Sequence, residues 1–259
     1  MVKGLYTAYT GMLNEQNRMD IMTNNLANAS TVGYKKEGST SQSFDDVLTV
    51  KIKDQSVGMR NAQKIGIKNP GVKIGENYTD YSQGSFRITG NTYDLALSGE
   101  GFFAIEFTNK AGETDTKYTR AGQFTLNKDG YLVTEEGDYV LDTQNRRIRL
   151  NTLIDSSITD DGTIYQNGQA IAKIQVTDFA DYDYLEKYGE TYYQPIQGAQ
   201  TIASNAQVKS GYLEMANVQI VSEMVNLISI TRAYESNQKV VQTIDDTLDV
   251  AVNQIGRVQ

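Results

Sequence analysis

Residues able to do chemistry are few in this 259-residue chain, and they are badly grouped for it. It contains no His and no Cys. That removes the commonest general base, the thiolate nucleophile, disulfides and most structural zinc sites. Acids remain. Asp160-Asp161-Gly162 and the trio Asp178, Asp181 and Asp183 could offer oxygen ligands. A calcium loop also needs acids at alternating positions, a sharp Gly turn and a bidentate acid, and neither cluster has the whole pattern. Turn chemistry explains both clusters better. Glu135 and Glu136 could suggest a glycosidase pair, but neighbours on a strand point to opposite faces and cannot flank one bond. Gly99-Glu100-Gly101 is followed by Phe102-Phe103 rather than by a helix, so it reads as a turn before a strand and not as a nucleotide loop. No Gly-x-Ser-x-Gly or Walker pattern is present. The sequence therefore predicts no catalytic residue, no cofactor and no metal.

Composition narrows the classes further. The net charge is −8, and no basic run exceeds the pairs Lys35-Lys36 and Arg146-Arg147, so the footprint of a nucleic-acid binder is missing. No apolar run is long enough for a membrane-spanning helix, and the first residues lack the basic and apolar regions of a cleavable secretion signal. Hydrophobic residues make up 39%, low for a compact enzyme of this size. The 22 Gly and 17 Tyr fit a turn-rich β region with half-wet aromatic surfaces.

The elements that remain to be explained are at the two ends. Leu213, Ile220, Leu227, Tyr234, Val241, Leu248 and Ile255 recur every seven residues. Ala216, Glu223, Ile230, Asn237, Ile244, Ala251 and Val258 follow three places on. With neither Gly nor Pro between Gly211 and Gly256, this predicts one long helix with a narrow apolar seam, reaching about 66 Å. Leu5, Met12, Met19 and Leu26 repeat the seven-residue spacing at the other end, with Ala8 and Met22 three on. Gly4 and Gly11 each weaken that first helix by about 1 kcal/mol against Ala. Asn24, Asn25, Asn28 and Gly33 crowd its end, as residues that stop a helix do.

Between the ends the pattern alternates as strands do. Phe102 to Phe107 reads as a buried strand, and hairpins are expected at Asp129-Gly130 and Asp161-Gly162. The predicted organisation is an N-terminal helix over 1–34, a connector over 35–75, a β-rich domain over 76–207 and a C-terminal helix over 208–259. The fold class is α+β: long terminal α-helices forming a coiled-coil-like stem, with an inserted, mainly antiparallel β domain. The two seams could pair within one monomer. Their unequal lengths, about 25 and about 45 residues, leave much of the longer one uncovered at about 1.5 Å per residue.

Four stretches carry a resemblance. Asn24-Asn25-Leu26-Ala27-Asn28-Ala29-Ser30-Thr31-Val32-Gly33-Tyr34-Lys35 resembles the N-terminal signature of bacterial flagellar rod and hook axial proteins. Asp94 to Phe103 resembles that family's central motif, and Tyr118-Thr119-Arg120-Ala121-Gly122-Gln123-Phe124 with Asp129 to Thr134 resembles the next. Gly211 to Val218, Glu223 to Ile228 and Arg232 to Asn237 resemble its C-terminal signature. Length and central motifs are most similar to the rod subgroup. The C-terminal block is most similar to the distal rod protein, with the proximal rod paralogue next. Asp246-Thr247-Leu248-Asp249 stands where distal rod proteins have a Met-Leu pair.

The resemblance implies a structural subunit of the flagellar basal body. Terminal helices would line a hollow cylinder, self-assembling helically to transmit torque and leave an export channel. It implies copies of the same chain, other rod, hook and ring proteins and the flagellar type III export apparatus as partners. No nucleic acid or direct membrane insertion is expected. The residues expected at the assembly interface are Leu5, Met12, Met19, Leu26, Ile220, Leu227, Ile230, Tyr234, Val241, Ile244 and Leu248. The alternatives are a hook paralogue, a cell-wall hydrolase on a helical scaffold, or a self-contained coiled-coil adhesin.

Overall fold

The computed structural model describes residues 2–51, 63–109 and 112–255. The chain divides into two compact units. One comprises Met1–Leu26, Glu37–Asp80 and Ile220–Gln259, and the other Ala27–Lys36 and Tyr81–Gln219.

The first unit contains the two long helices, α1 (Val2–Ala27) and α2 (Ile220–Val250), the latter ending in a wider π-type turn, Ala251–Ile255. At 31 residues α2 is about 46 Å long, shorter than the seam predicted. Most of the difference lies at its start, the rest in the π-type turn, and the seam position Val258 lies outside the described residues. Tyr212–Glu214 is a strand, paired antiparallel with Phe86–Ile88, so Leu213 and Ala216 do not belong to the helix. Gly211 adopts φ +81 and accepts hydrogen bonds from the amides of Thr89 and Gly90, which locks the backbone into the sheet. Leu213 and Ala216 are apolar because both are buried in the second unit, and their spacing matches a heptad by coincidence.

Within α2 the residues that are not exposed are Glu223, Leu227, Ile230, Thr231, Ala233, Tyr234, Asn237, Val241, Ile244 and Leu248; all but Thr231 and Ala233 are seam positions, while the seam residue Ile220 is exposed. The two helices run antiparallel: Gly4 lies by Ile244, Gly11 by Asn237, and the Thr231 hydroxyl is 4.0 Å from the Met19 sulfur. Gly11 therefore has a positive role that helix propensity alone conceals. A Cβ on Gly11 would sit 3.1 Å from Asn237 Nδ2, so its absence lets α2 approach. At Gly4 the same atom would make an ordinary 3.6 Å contact with Ile244.

The expected connector is not featureless. Glu37–Ser43 pairs antiparallel with Val72–Thr79, and Val47–Lys51 with Gln63–Lys68. The first of these strands reads Glu-Gly-Ser-Thr-Ser-Gln-Ser and has no apolar alternation to reveal it. It is held instead by its neighbours. Gly38 lies under Tyr78, where a Cβ would be 2.5 Å from the ring, and Asn14 on α1 exchanges hydrogen bonds with Ser41 at 2.9 and 3.1 Å.

The second unit is mainly antiparallel β. Its largest sheet runs Leu185–Tyr188, Tyr192–Pro195, Thr114–Thr119, Phe102–Thr108, Tyr139–Val140, Leu132–Thr134 and Phe124–Leu126. Val176–Phe179 also pairs with Phe102–Thr108, and Thr201–Ala203 with Val176–Phe179. The expected hairpins form, joining Phe124–Leu126 to Leu132–Thr134 and Ser156–Ile158 to Thr163–Gln166. Successive side chains of the Phe102–Thr108 strand enter different cores, as the two-residue period requires. Phe103 packs with Leu95, Leu97, Phe124, Leu132 and Ile164, whereas Phe102 and Ala104 pack with Tyr118, Phe179 and Tyr193. Burial on both faces explains why this strand is a continuous apolar run.

Gly4→Ala is expected to stabilise the first unit by about 0.5–1 kcal/mol through helix propensity. Gly11→Val is expected to destabilise it by about 1–3 kcal/mol through overpacking. Urea unfolding followed by circular dichroism separates the two, and equal effects of the same sign would contradict the close approach at Gly11.

Candidate functional site

The residues that matter in the N-terminal signature are held by hydrogen bonds specific to each side chain. Asn25, fully buried on the last turn of α1, donates from Nδ2 to the Glu37 carbonyl at 2.8 Å and accepts from the Glu37 amide at 2.9 Å. That two-point grip closes the loop over 12 residues, a role beyond stopping a helix. Asn28 donates to Glu190 at 2.8 Å and accepts from the Thr31 hydroxyl at 3.2 Å. Gly33 adopts φ +70, donates to the Glu214 carbonyl at 2.8 Å and passes so close to Ala121 that a Cβ would lie 2.3 Å from its amide nitrogen. Only glycine satisfies both constraints.

The loop then delivers Lys35 to a buried carboxylate. Lys35 and Glu214 are each 1% exposed at the side chain. Lys35 Nζ donates to Glu214 Oε1 at 2.7 Å and to the Ser82 carbonyl at 2.7 Å. Oε1 also accepts from the Gly84 amide at 2.9 Å, and Oε2 from Arg120 at 3.3 Å. Arg120 donates further to the carbonyls of Leu97 and Gly99, with its guanidinium 5.6 Å from the Phe102 ring centre. One carboxylate thus faces two cations and a backbone amide. Nearby, Asn217 accepts from the Lys36 amide at 2.8 Å and donates to Ser82. Each partner comes from a stretch that resembles the axial family, except the Ser82–Gly84 segment, which supplies only backbone atoms to Glu214 and Lys35. The signatures converge on a structural clamp. In the sequence these residues stand in separate motifs with no sign that they meet, because a lone Glu on a short strand does not reveal its burial.

The residues considered for chemistry fall elsewhere. Asp178 accepts from its neighbour's amide and from the Tyr182 hydroxyl, and Asp181 caps the 3-10 turn at Tyr182–Tyr184. Burial, then the bond to Asp178, pushes the Tyr182 phenol well above its ordinary range. A Cβ on Gly101 would meet the Ser204 hydroxyl at 2.5 Å, so the Gly99-Glu100-Gly101 turn serves close packing. Glu135 and Glu136 require a correction. The strand ends at Thr134, so they occupy a turn, and both line a cleft of about 250 Å³ with Val32, Ala121 and Tyr192. Both are exposed, which gives neither the contrasting environment an acid and nucleophile pair needs. Among the described residues no group of three or more acids, His or Cys is placed to hold a metal.

Of the expected interface residues, Leu5, Met12, Met19, Leu26, Leu227, Tyr234, Val241, Ile244 and Leu248 are half-buried, Ile230 is buried and Ile220 is exposed. The helices also carry exposed apolar rows that the seam analysis missed: Tyr6, Tyr9 and Leu13 on α1, and Val221, Met224, Val225 and Ile228 on α2. Their i, i+3, i+4, i+7 spacing was visible in the sequence beside the heptads. Among the described residues no helix is long and apolar enough to cross a membrane.

Two long terminal helices in one unit, and in the other an inserted β domain whose terminal and central motifs meet in a buried clamp, define an axial structural protein. Comparison supports that class along the chain. Residues 5–35 match the flagella basal body rod protein family, 96–166 the flagellar hook protein FlgE/F/G D1 domain, and 209–255 the flagellar basal body rod FlgEFG protein C-terminal family. The flagellar basal-body rod protein FlgG of Bacillus subtilis is 34% identical, over 98% of this chain and 99% of its own. The flagellar hook-basal body complex protein FlhO of Bacillus subtilis is 30% identical over the whole of both chains. The flagellar basal-body rod protein FlgF of Caulobacter vibrioides is also 30% identical over the whole of both. The chain belongs to the flagellar rod and hook protein family and is a structural subunit of the basal-body rod.

The clamp makes a sharp energetic expectation. Glu214→Gln should cost about 3–5 kcal/mol, because two buried cations lose their counter-charge. Lys35→Met should cost a similar amount alone, but the double variant should cost clearly less than the sum. Urea unfolding of the four proteins in a double-mutant cycle measures this, and additive costs would show that the charges do not interact.

Proposed function

We propose that this subunit builds a tubular axial structure by pairing its terminal helices with those of neighbouring copies. The contact is heterologous and non-closing, so each added chain presents the next surface and a helical assembly results. The interface includes the seam set Leu5, Met12, Met19, Leu26, Ile220, Leu227, Ile230, Tyr234, Val241, Ile244 and Leu248 and extends to the outer apolar rows. A coiled-coil stem then forms between chains as well as within one. The tube transmits torque and encloses the export channel, with other rod, hook and ring proteins at its ends and the type III export apparatus as its route of delivery. The role is structural, without catalysis.

The observation that carries this reading is the exposed apolar row on α2, where Val221 is 77% and Val225 60% exposed. Tyr6, at 62%, leads the matching row on α1. Rows of this kind on otherwise polar helices are favourable only when a partner covers them.

Val221→Asp with Val225→Asp should abolish assembly while leaving the monomer's helix content and unfolding midpoint nearly unchanged, since neither side chain is buried in one chain. Electron microscopy of assembled rods and circular dichroism of the monomer read the two effects separately. Normal rods from this variant would remove the outer row from the interface.

A further inference from the structure

Three hairpin tips place a side-chain carbonyl immediately before glycine: Asp129-Gly130, Asp161-Gly162 and Asn167-Gly168. Such a dipeptide can cyclise when the glycine peptide nitrogen reaches the side-chain carbonyl carbon. The folded structure restrains two of the three. Gly130 N donates to the Asn127 carbonyl at 3.0 Å and Gly162 N to the Thr159 carbonyl at 2.8 Å, and both glycines are buried. Gly168 differs in every respect. Its amide makes no hydrogen bond among the described residues, both Asn167 and Gly168 are exposed, and nothing lies within 4 Å of where a Gly168 Cβ would be. It is also the tip with the amide side chain, whose ammonia is a better leaving group than the hydroxide of an acid.

Asn145 provides an internal comparison. It shares the left-handed backbone of Asn167, with φ +56 against φ +51, but is followed by Arg146, whose side chain crowds the attacking nitrogen. Its own amide is held by the Asp142 carbonyl at 2.7 Å.

We propose that Asn167-Gly168 is a site of spontaneous covalent modification, where Asn167 converts to aspartate and isoaspartate. The Gly168 nitrogen loses its proton to hydroxide and bonds to Asn167 Cγ. The bond from Cγ to the side-chain nitrogen breaks, and that nitrogen takes up a proton and leaves as ammonia. Water then opens the cyclic imide at either carbonyl. Opening at one restores the normal backbone as Asp, and opening at the other routes the backbone through the side chain as isoaspartate. The net change is one water consumed and one ammonia released, with no redox step.

The consequence is local and built into the hairpin. Asn167 and Gly168 form the two-residue turn that pairs Gln166 with Gln169. Two-residue turns tolerate no added backbone atom without loss of register. Gln166 also holds the preceding loop, donating to the Asn151 carbonyl at 2.9 Å and to the Ser156 hydroxyl at 3.0 Å. Isoaspartate therefore loosens the three-stranded sheet from its tip, and either product adds one negative charge to a chain already at −8.

The test incubates the folded full-length chain at mildly alkaline pH and follows peptides by mass spectrometry and by isoaspartyl methyltransferase labelling. Conversion at Asn167 should exceed that at Asp129 and Asp161 by about tenfold, the upper range for one backbone hydrogen bond that need not be broken, and should exceed that at Asn145, where Arg146 crowds the attacking nitrogen. Asn167→Gln should remove the label at this position. Chain unfolded in urea calibrates the intrinsic chemistry. The proposal is overturned if Asn167 converts only in the unfolded chain, or if the other three sites match it in the folded one.

Discussion

The Glu214 carboxylate is the point on which the rest of the second unit depends. It is removed from water and surrounded by Lys35, Arg120 and the Gly84 amide, which lie 179, 94 and 130 residues away in the chain. A buried anion of this kind gives little net stability against an apolar replacement, but breaking it is costly. Its value is selective, because only one arrangement of the loop after α1, the Ser82–Gly84 segment and the Arg120 turn satisfies all its oxygens. Gly33 belongs to the same constraint. Its positive φ and its close passage by Ala121 let the loop reach the carboxylate, and a side chain there would push Lys35 out of register.

This clamp also sits at the two covalent exits to the helices. α1 ends at Ala27, shortly before the loop that carries Lys35, and α2 begins at Ile220, shortly after Glu214. The residues at these exits are accordingly polar and fully used. Asn25 grips the Glu37 backbone, and Asn217 bridges Lys36 and Ser82. Such side chains resemble helix-stopping residues in a sequence because Asn serves both purposes.

Much of the architecture was legible because periodicity reports burial. The seam positions from Glu223 to Leu248 are among the less exposed residues of α2, and both Asp-Gly hairpins form where turn chemistry places them. The failures have equally physical causes. Leu213 and Ala216 extended the heptad falsely, since a residue three on from an apolar one looks the same on a helix face or in a buried strand. Glu37–Ser43 shows no strand pattern because it is held by Tyr78 over Gly38 and by the hydroxyls of Thr40 and Ser41 rather than by alternating apolar side chains. Gly11 reads as a defect because propensity counts only the helix that contains it, and not the Asn237 side chain packed against it. Glu135 and Glu136 were set aside with strand geometry that does not apply, as the strand ends one residue earlier.

The helix pair itself is held modestly, and that bears on what it can do. Its seam contains Glu223 and Asn237 among the apolar residues, and both glycines of α1 remove side chains that would otherwise add buried area. Polar residues at such positions fix register at the expense of stability. Meanwhile Val221, Met224, Val225 and Ile228 keep their apolar surface in water. An isolated chain thus satisfies the register of α1 against α2 without satisfying their full hydrophobic demand. Burying the outer row against another copy would supply the missing term and raise the stability of the same helices, since anything that binds only the folded form favours it. Register set within the chain and, in the proposed assembly, stability completed between chains is a division suited to a subunit that folds before it meets its neighbours.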